Sequence, residues 1–190
     1  MKLVHEKNMA KGLLVIAAVF LLAVAVGCAA KSEKQASAAG EGQTAVMQPQ
    51  VIPDNVTCGK CGMYPARYPR WQSQIIFKDG AMTPFDGCKC MFNFMFDMAR
   101  YDKAHSMNDV SVAWVKDFNS GAWINAVDAH YVVGSNMMGP MGKELIPFAD
   151  PSAAMKFHQE QGGSVMQYAD INPDVLKTLA MGGMKMKGGM

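Results

Sequence analysis

The sequence predicts an α+β fold, a single globular domain with mainly antiparallel sheets and two ββα-type units. Three observations predict it. Short segments rich in β-branched and aromatic residues are separated by turns that contain Gly, which is typical of hairpins. The order strand, Gly-containing loop, strand and Asp-preceded helix occurs twice, over residues 74–100 and residues 130–159. The chain also lacks a Gly-rich phosphate loop, which argues against a βαβ dinucleotide fold.

The first unit begins with a predicted strand over residues 71–77, where Trp, Ile and Phe side chains are concentrated. Residues 79–80, Asp-Gly, are a hairpin signal, and residues 81–85 form the second strand. Asp86 is a favoured residue type for a helix N-cap, so we expect a helix over residues 88–103. Because its apolar residues cover a broad face, the helix should be largely buried.

The second unit follows a predicted strand over residues 111–118 and a turn at residues 119–121. It has one strand over residues 129–134 and another over residues 144–148. Residues 135–142 lie between these strands and combine three methionines with Gly and Pro, so we expect a loop there.

The helix of the second unit has favourable residue types at both ends. Asp150 is its expected N-cap, Pro151 its first residue, and the Gly pair at residues 162–163 its end. A strand over residues 164–169 and a short final helix from residues 172–173 complete the predicted domain.

The N-terminal residues 1–28 are typical of an export signal. Three lysines precede an apolar run over residues 13–26, which at about 14 residues is too short to span a membrane comfortably. Residues 25–28, Ala-Val-Gly-Cys, resemble a bacterial lipobox, although Leu is usual where Ala25 stands. We therefore predict that Cys28 is acylated and anchors the protein on the periplasmic side of a membrane. An ordinary cleaved signal and an uncleaved anchor are the alternatives.

The remaining chain divides into three predicted parts. Residues 29–55 are rich in Ala, Ser, Gly and Gln and should form a flexible tether. Residues 56–180 form the folded domain, and residues 181–190 a Met-rich flexible tail. Removal of residues 1–28 leaves 15 basic and 15 acidic side chains, so charge gives no reason to expect nucleic-acid binding.

Sulfur is the main chemical signal in the sequence. Cys58, Cys61 and Met63 place two thiols and a thioether within six residues. Thiolate and thioether are soft donors, and this combination selects Cu(I) over hard cations. Zinc also binds thiolates but rarely binds methionine sulfur. The motif therefore favours a Cu(I) site, and the chain lacks the Gly-x-Ser-x-Gly and His-Glu-x-x-His motifs of hydrolytic enzymes.

Two other interpretations of the cysteines stay open. Cys88 and Cys90 could join the first pair in a four-cysteine zinc site, although the spacer is long for that pattern. Cys58 and Cys61 have the spacing of a thioredoxin motif, but their flanks predict a loop rather than a helix start. At the start of a helix, Cys88 and Cys90 could be metal ligands, a redox reserve or buried small hydrophobic residues.

Several segments resemble the NosL family, nitrous oxide reductase accessory lipoproteins. The resemblance rests on the run from Cys61 to Met63, the strand at residues 74–77, and the block at residues 131–148, where Gly-Pro-Met-Gly precedes Glu-x-x-Pro-Phe. It implies an α+β fold similar to organomercurial lyase, and it implies a periplasmic Cu(I) carrier. Matched to the family motifs, Cys61, Met63 and Met141 are the expected ligands.

The resemblance also implies partners. The carrier would pass copper to a membrane transporter and assembly complex that builds the copper–sulfide centre of nitrous oxide reductase. We accordingly predict a non-enzymatic metallochaperone that releases Cu(I) by ligand exchange. The rival hypotheses are an extracytoplasmic thiol–disulfide oxidoreductase and a zinc-stabilised interaction domain.

Overall fold

The structure, a computed structural model, describes residues 46–184. The predicted signal with Cys28, most of the predicted tether and residues 185–190 lie outside the described residues. The described residues belong to one compact unit. Among them, no helix combines the length and the apolar character that crossing a membrane requires.

The first sheet contains four antiparallel strands in the order β2-β1-β3-β4. Their bounds are β1 Ser73–Phe77, β2 Met82–Phe85, β3 Val110–Lys116 and β4 Trp123–Asn125. All five residues of β1 are buried, as expected for a central strand paired on both sides. The Asp-Gly turn predicted between β1 and β2 is present, with Gly80 at φ 89°. Strand β4 was not predicted from the sequence and has only three residues.

The second sheet contains three antiparallel strands in the order β6-β5-β7. Their bounds are β5 His130–Gly139, β6 Gly142–Phe148 and β7 Ser164–Gln167. The loop predicted at residues 135–142 is wrong: β5 continues to Gly139, which pairs with Gly142 across Pro140 and Met141. The register shifts between Val133 and Met138, so Gly and Pro are accommodated by an irregular hairpin rather than by a loop.

Four α-helices complete the fold of residues 46–184: α1 Cys88–Phe96, α2 Met98–Tyr101, α3 Pro151–Gln161 and α4 Pro173–Met184. The single helix predicted over residues 88–103 is wrong, because Asp97 leaves the helical region at φ −138° and ψ 45°. The role predicted for Asp86 is also wrong, since Gly87 is the N-cap of α1. The signals predicted for α3 are confirmed: the Asp150 carboxylate accepts a hydrogen bond from Ser152 N, and the helix ends before Gly162 at φ 70°.

The two predicted ββα units are confirmed as β1-β2-α1 and β5-β6-α3. The α+β class with antiparallel sheets is therefore correct. Helix α1 packs with both sheets in the main core, where Phe85 of β2, Phe92 of α1 and Tyr131 of β5 are buried. A second core around Phe118, Phe148 and Ala154 joins α3 to β5 and β6.

The folded part begins earlier than predicted. Gln74 is fully buried in β1, and its side chain accepts from Gln50 N and donates to Gln50 O, both at 2.9 Å. Trp114 Nε1 donates to Met47 O at 3.0 Å. The last ten residues of the predicted tether, 46–55, thus supply hydrogen-bond partners to the first sheet. At the other end, α4 extends four residues into the predicted tail.

Candidate metal centre

Three of the predicted ligands converge on one point. The Cys58, Cys61 and Cys90 sulfurs and an Asp86 carboxylate oxygen all lie within 4.8 Å of one another. We call these four residues the thiol–carboxylate cluster. They come from two segments, a loop at residues 58–63 and the stretch that leads from β2 into α1.

The loop at residues 58–63 is closed by its own backbone. Cys58 N donates to Met63 O at 2.7 Å, and Gly62 N donates to Cys58 O at 3.1 Å. Gly62 adopts φ 78°, a conformation that favours glycine. The loop rests on β2 because Gly59 N donates to Pro84 O at 3.0 Å. A Cβ at residue 59 would lie 2.3 Å from Thr83 Cγ2, so only glycine permits this approach.

The cluster is buried at three of its four positions. Cys58, Cys90 and Asp86 are 4 %, 2 % and 1 % exposed, whereas Cys61 is half-buried. Cys61 therefore offers the accessible side of the cluster. The described cysteines are not bridged by disulfides, so the three thiols are available as ligands.

Hydrogen bonds and burial give the three thiols different acidities. The hydrogen bond with Cys90 lowers the pKa of Cys58 to about 7, despite burial. Burial raises the pKa of Cys61 to about 12. The pKa of Cys90 is raised, first by its hydrogen bond to Cys58 and then by burial. Cys58 is thus the sulfur most readily present as thiolate, and a bound metal would have to displace protons from the other two.

Asp86 is the member of the cluster that the sequence analysis missed. Cys61 Sγ donates to Asp86 Oδ1 at 3.3 Å, while the buried Oδ2 has no hydrogen-bond partner. Three thiols suit Cu(I), and three thiols with one carboxylate oxygen also suit tetrahedral Zn²⁺. The sequence indicated Asp86 only as a helix N-cap and not as a metal ligand.

Cys88 lies outside the thiol–carboxylate cluster. It is 2 % exposed and belongs to the main core. Burial raises the pKa of its thiol well above the usual range, and the charge of Glu144 raises it further. Among the roles left open by the sequence, this environment is that of a buried small hydrophobic residue.

The two predicted methionine ligands lie on different elements. Met63 is half-buried and closes the loop that carries Cys58 and Cys61. Met141 lies at the tip of the β5–β6 hairpin and is 42 % exposed. Lys89 Nζ donates to Met141 O at 2.6 Å and to Lys143 O at 2.6 Å. The hairpin tip is therefore held to the helix that carries Cys90.

Glu144 of β6 provides a second link between the β5–β6 hairpin and α1. Its Oε2 accepts from Lys89 N at 2.9 Å, so it caps α1 where Gly87 has no side chain to do so. A Cβ at residue 87 would lie 2.9 Å from Glu144 Oε1, which makes glycine necessary for this approach. Glu144 is 1 % exposed, and burial raises its pKa to about 7. In the sequence analysis Glu144 appeared only as part of a family motif, without a structural role.

Comparison with known proteins gives consistent matches. The model of the NosL family matches residues 49–176. The copper-binding lipoprotein NosL of Stutzerimonas stutzeri is 28% identical over 169 residues, 86% of this chain and 82% of the relative. The copper-binding lipoprotein NosL of Achromobacter cycloclastes is 30% identical over 130 residues, 62% of this chain and 64% of the relative.

A solved structure shares the fold. The crystal structure of the copper chaperone NosL from Shewanella denitrificans superposes with a TM-score of 0.59 and 25% sequence identity. The match covers 67% of this chain and 97% of that chain. The α+β architecture described above is therefore shared with that structure over most of its length.

Proposed function

The chain belongs to the NosL family, and on that premise we propose that it is a membrane-tethered Cu(I) carrier rather than an enzyme. Its relatives are named as copper-binding lipoproteins and as a copper chaperone, and none of these names describes an enzyme. The lipoprotein names also support a lipid anchor at Cys28 in the cell envelope. Delivery of copper for the copper–sulfide centre of nitrous oxide reductase, through a membrane assembly complex, is the finer part of the proposal.

The convergence of Cys58, Cys61 and Cys90 is the observation that carries this function. Cu(I) favours sulfur and accepts two or three ligands. Cys58 has the lowest pKa of the three thiols, so it can supply the first thiolate near neutral pH. Asp86 then accepts a hydrogen bond from Cys61 while that thiol is protonated.

Release of copper requires an accessible ligand. Cys61 is the only half-buried member of the thiol–carboxylate cluster, so an incoming sulfur ligand can approach the ion there. Met63 and Met141 could add a weak thioether bond while copper is held, as the family motif implies. A lipid tether would keep the carrier near a membrane-bound recipient and raise its effective concentration.

An anaerobic Cu(I) competition titration of the reduced full chain tests this function. We expect about one Cu(I) per chain, with affinity reduced at least about 100-fold in Cys61→Ala and Cys90→Ala because each variant loses a direct ligand. Cys88→Ala is the matched control and should bind as the original chain does. Unchanged affinity in both Cys61→Ala and Cys90→Ala would exclude the cluster as the copper site.

Zinc binding is a second candidate because Asp86 brings an oxygen donor to the three thiols. In a zinc-stabilised domain, removal of the metal by a chelator would unfold the chain. The main core is assembled from both sheets and α1, so we expect the metal-free chain to keep its circular dichroism spectrum. Loss of that spectrum on chelation would support the zinc-stabilised domain instead.

The thiol–disulfide oxidoreductase is less consistent with the site. A reactive thiol requires a lowered pKa at an accessible position. The accessible Cys61 has its pKa raised to about 12, while Cys58, with a pKa of about 7, is buried. We therefore expect no turnover of a dithiol substrate by the original chain. Measurable turnover that is lost in Cys61→Ser would instead support an oxidoreductase.

A further inference from the structure

A cavity of about 550 Å³ has a strongly basic lining that includes Lys60 and Lys89, the sequence neighbours of the cluster residues Cys61 and Cys90. We propose that it is the docking site for the copper recipient, and that it binds an acidic protein segment carrying a methionine or cysteine. This proposal rests on the proposed copper-carrier function and adds the surface and the chemistry of the partner. We call this site the basic cavity.

The charge of the basic cavity differs from that of the folded part as a whole. Its lining includes one acid, Asp97, and four bases, Lys60, Lys89, Arg100 and Lys177. Residues 46–184 together contain 11 basic and 13 acidic side chains. More than a third of the bases of this net-negative part thus line one cavity. Such local asymmetry attracts a partner of opposite charge and orients it during encounter.

Most of this positive charge is not neutralised within the described residues. Lys177 is the only one of the four bases with a carboxylate within 4.0 Å there, Asp174 at 2.8 Å. Lys89 is bonded to two backbone carbonyls, which leave its charge intact. Lys60 and Arg100 make no ion pair with the described residues.

The basic cavity adjoins both segments that carry the thiols. Lys60 lies between Cys58 and Cys61 in the loop, and Lys89 immediately precedes Cys90 in α1. A segment bound to these two lysines would therefore lie next to the chain segments that hold copper. In this proposal, the bound segment thereby brings a recipient sulfur ligand near those chain segments for ligand exchange.

The lining also contains exposed apolar and sulfur-bearing side chains. Phe96 is 43 % exposed and Met141 is 42 % exposed. An aromatic ring and a thioether favour a partner side chain that is apolar and soft, such as methionine, between acidic residues. The concave shape favours a protein segment over a flat lipid surface.

A labelled peptide provides the test. The probe is a twelve-residue peptide of alternating Asp and Met, and its binding to the Cu(I)-loaded full chain is followed by fluorescence anisotropy. We expect Arg100→Glu to weaken binding about tenfold at low salt, because an attractive charge becomes repulsive. Lys156→Glu, the same reversal of charge at an exposed base on α3, is the matched control and should leave binding unchanged. Raising the salt to about 0.5 M should remove most of the difference, since charge interactions are then screened.

Three outcomes would overturn the proposal: no binding of the Asp–Met peptide, equal binding by Arg100→Glu and Lys156→Glu, or equal binding of a peptide with Asn in place of Asp. Binding of phosphatidylglycerol vesicles that Arg100→Glu abolishes, without peptide binding, would identify a membrane-facing surface instead. Cu(I) affinity is measured separately on both variants. Because Arg100 is not a ligand, that affinity should be unchanged, so a failure of docking remains distinguishable from a failure of the copper site.

Discussion

The two ββα units share their order of elements but stabilise their helices in different ways. Helix α3 carries its own N-cap, Asp150, and only one of its eleven residues, Ala154, is buried. Helix α1 has Gly87 at its N-cap, and six of its nine residues are buried. Glu144, from the other unit, caps α1. Helix α3 is therefore specified locally, whereas α1 depends on tertiary contacts.

Because Glu144 caps α1, Asp86 is free to take part in the candidate site. Asp86, the nearest residue of the first unit that could have capped α1, lies in the thiol–carboxylate cluster instead. The position of Cys90 therefore depends on Glu144 and on the hairpin that carries it. The second unit supports the candidate copper site without contributing a residue to the cluster.

The largest expected effect comes from removing the cap supplied by the second unit. Glu144→Ala leaves Lys89 N without its partner and opens a cavity beside α1, so we expect a loss of about 4 kcal/mol in the free energy of unfolding at pH 5. Urea unfolding measures it. Glu144→Gln is the control, because its amide oxygen can still accept from Lys89 N. Equal losses in the two variants would contradict a capping role.

The protonation of Glu144 should make stability depend on pH. Burial raises its pKa from 4.5 to about 7 in the folded state, so the folded state binds the proton more tightly than the unfolded state does. This contribution is fully present below pH 4.5 and is lost as pH rises through 7, a change of about 3 kcal/mol. We expect the free energy of unfolding of the original chain to fall relative to Glu144→Gln between pH 4.5 and pH 8. Parallel profiles for the two proteins would show that Glu144 does not titrate in this range.

A smaller effect should separate the two candidate metals. Asp86→Asn removes a charged oxygen donor that suits zinc, so zinc affinity should fall about tenfold while Cu(I) affinity changes less than about threefold. Competition titrations with each metal provide the comparison. A larger loss for Cu(I) than for zinc would mean that Asp86 has a direct part in copper binding.

The smallest expected effect lies in the self-capped helix. Asp150→Ala removes the hydrogen bond to Ser152 N and should cost about 1 kcal/mol, the usual value for an N-cap. Urea unfolding measures this loss, and Cu(I) affinity should stay unchanged because α3 contributes nothing to the thiol–carboxylate cluster. A marked loss of copper affinity would show that the two units are coupled through α3 as well.

Elements stabilised by neighbouring residues, such as α3, could be predicted from the sequence, whereas elements stabilised by distant residues, such as α1, could not. Asp150, Pro151 and Gly162 are neighbours of the helix they delimit, so local patterns were sufficient for α3. The cap of α1 joins Lys89 to a residue 55 positions away, and no local pattern indicates it. Similarly, residues 135–142 have loop-like composition, but pairing of β5 with β6 determines their strand conformation.

For the candidate site, the sequence chose ligands by chemistry alone, and their role as ligands stays a prediction. Soft-donor chemistry was sufficient to select Cys58, Cys61 and Cys90 as candidate ligands, but only tertiary structure separates Cys90 from the core residue Cys88. Asp86 was missed because its local position fits an N-cap. In the structure Glu144 approaches Gly87 closely and caps α1 instead.

X-ray absorption spectroscopy of the Cu(I)-loaded full chain would show whether copper binds in the thiol–carboxylate cluster. We expect a copper coordination shell made of sulfur, with fewer sulfur ligands in Cys90→Ala and an unchanged shell in Cys88→Ala. An unchanged shell in Cys90→Ala together with a lost sulfur in Cys88→Ala would contradict it, because copper would then be bound outside the thiol–carboxylate cluster.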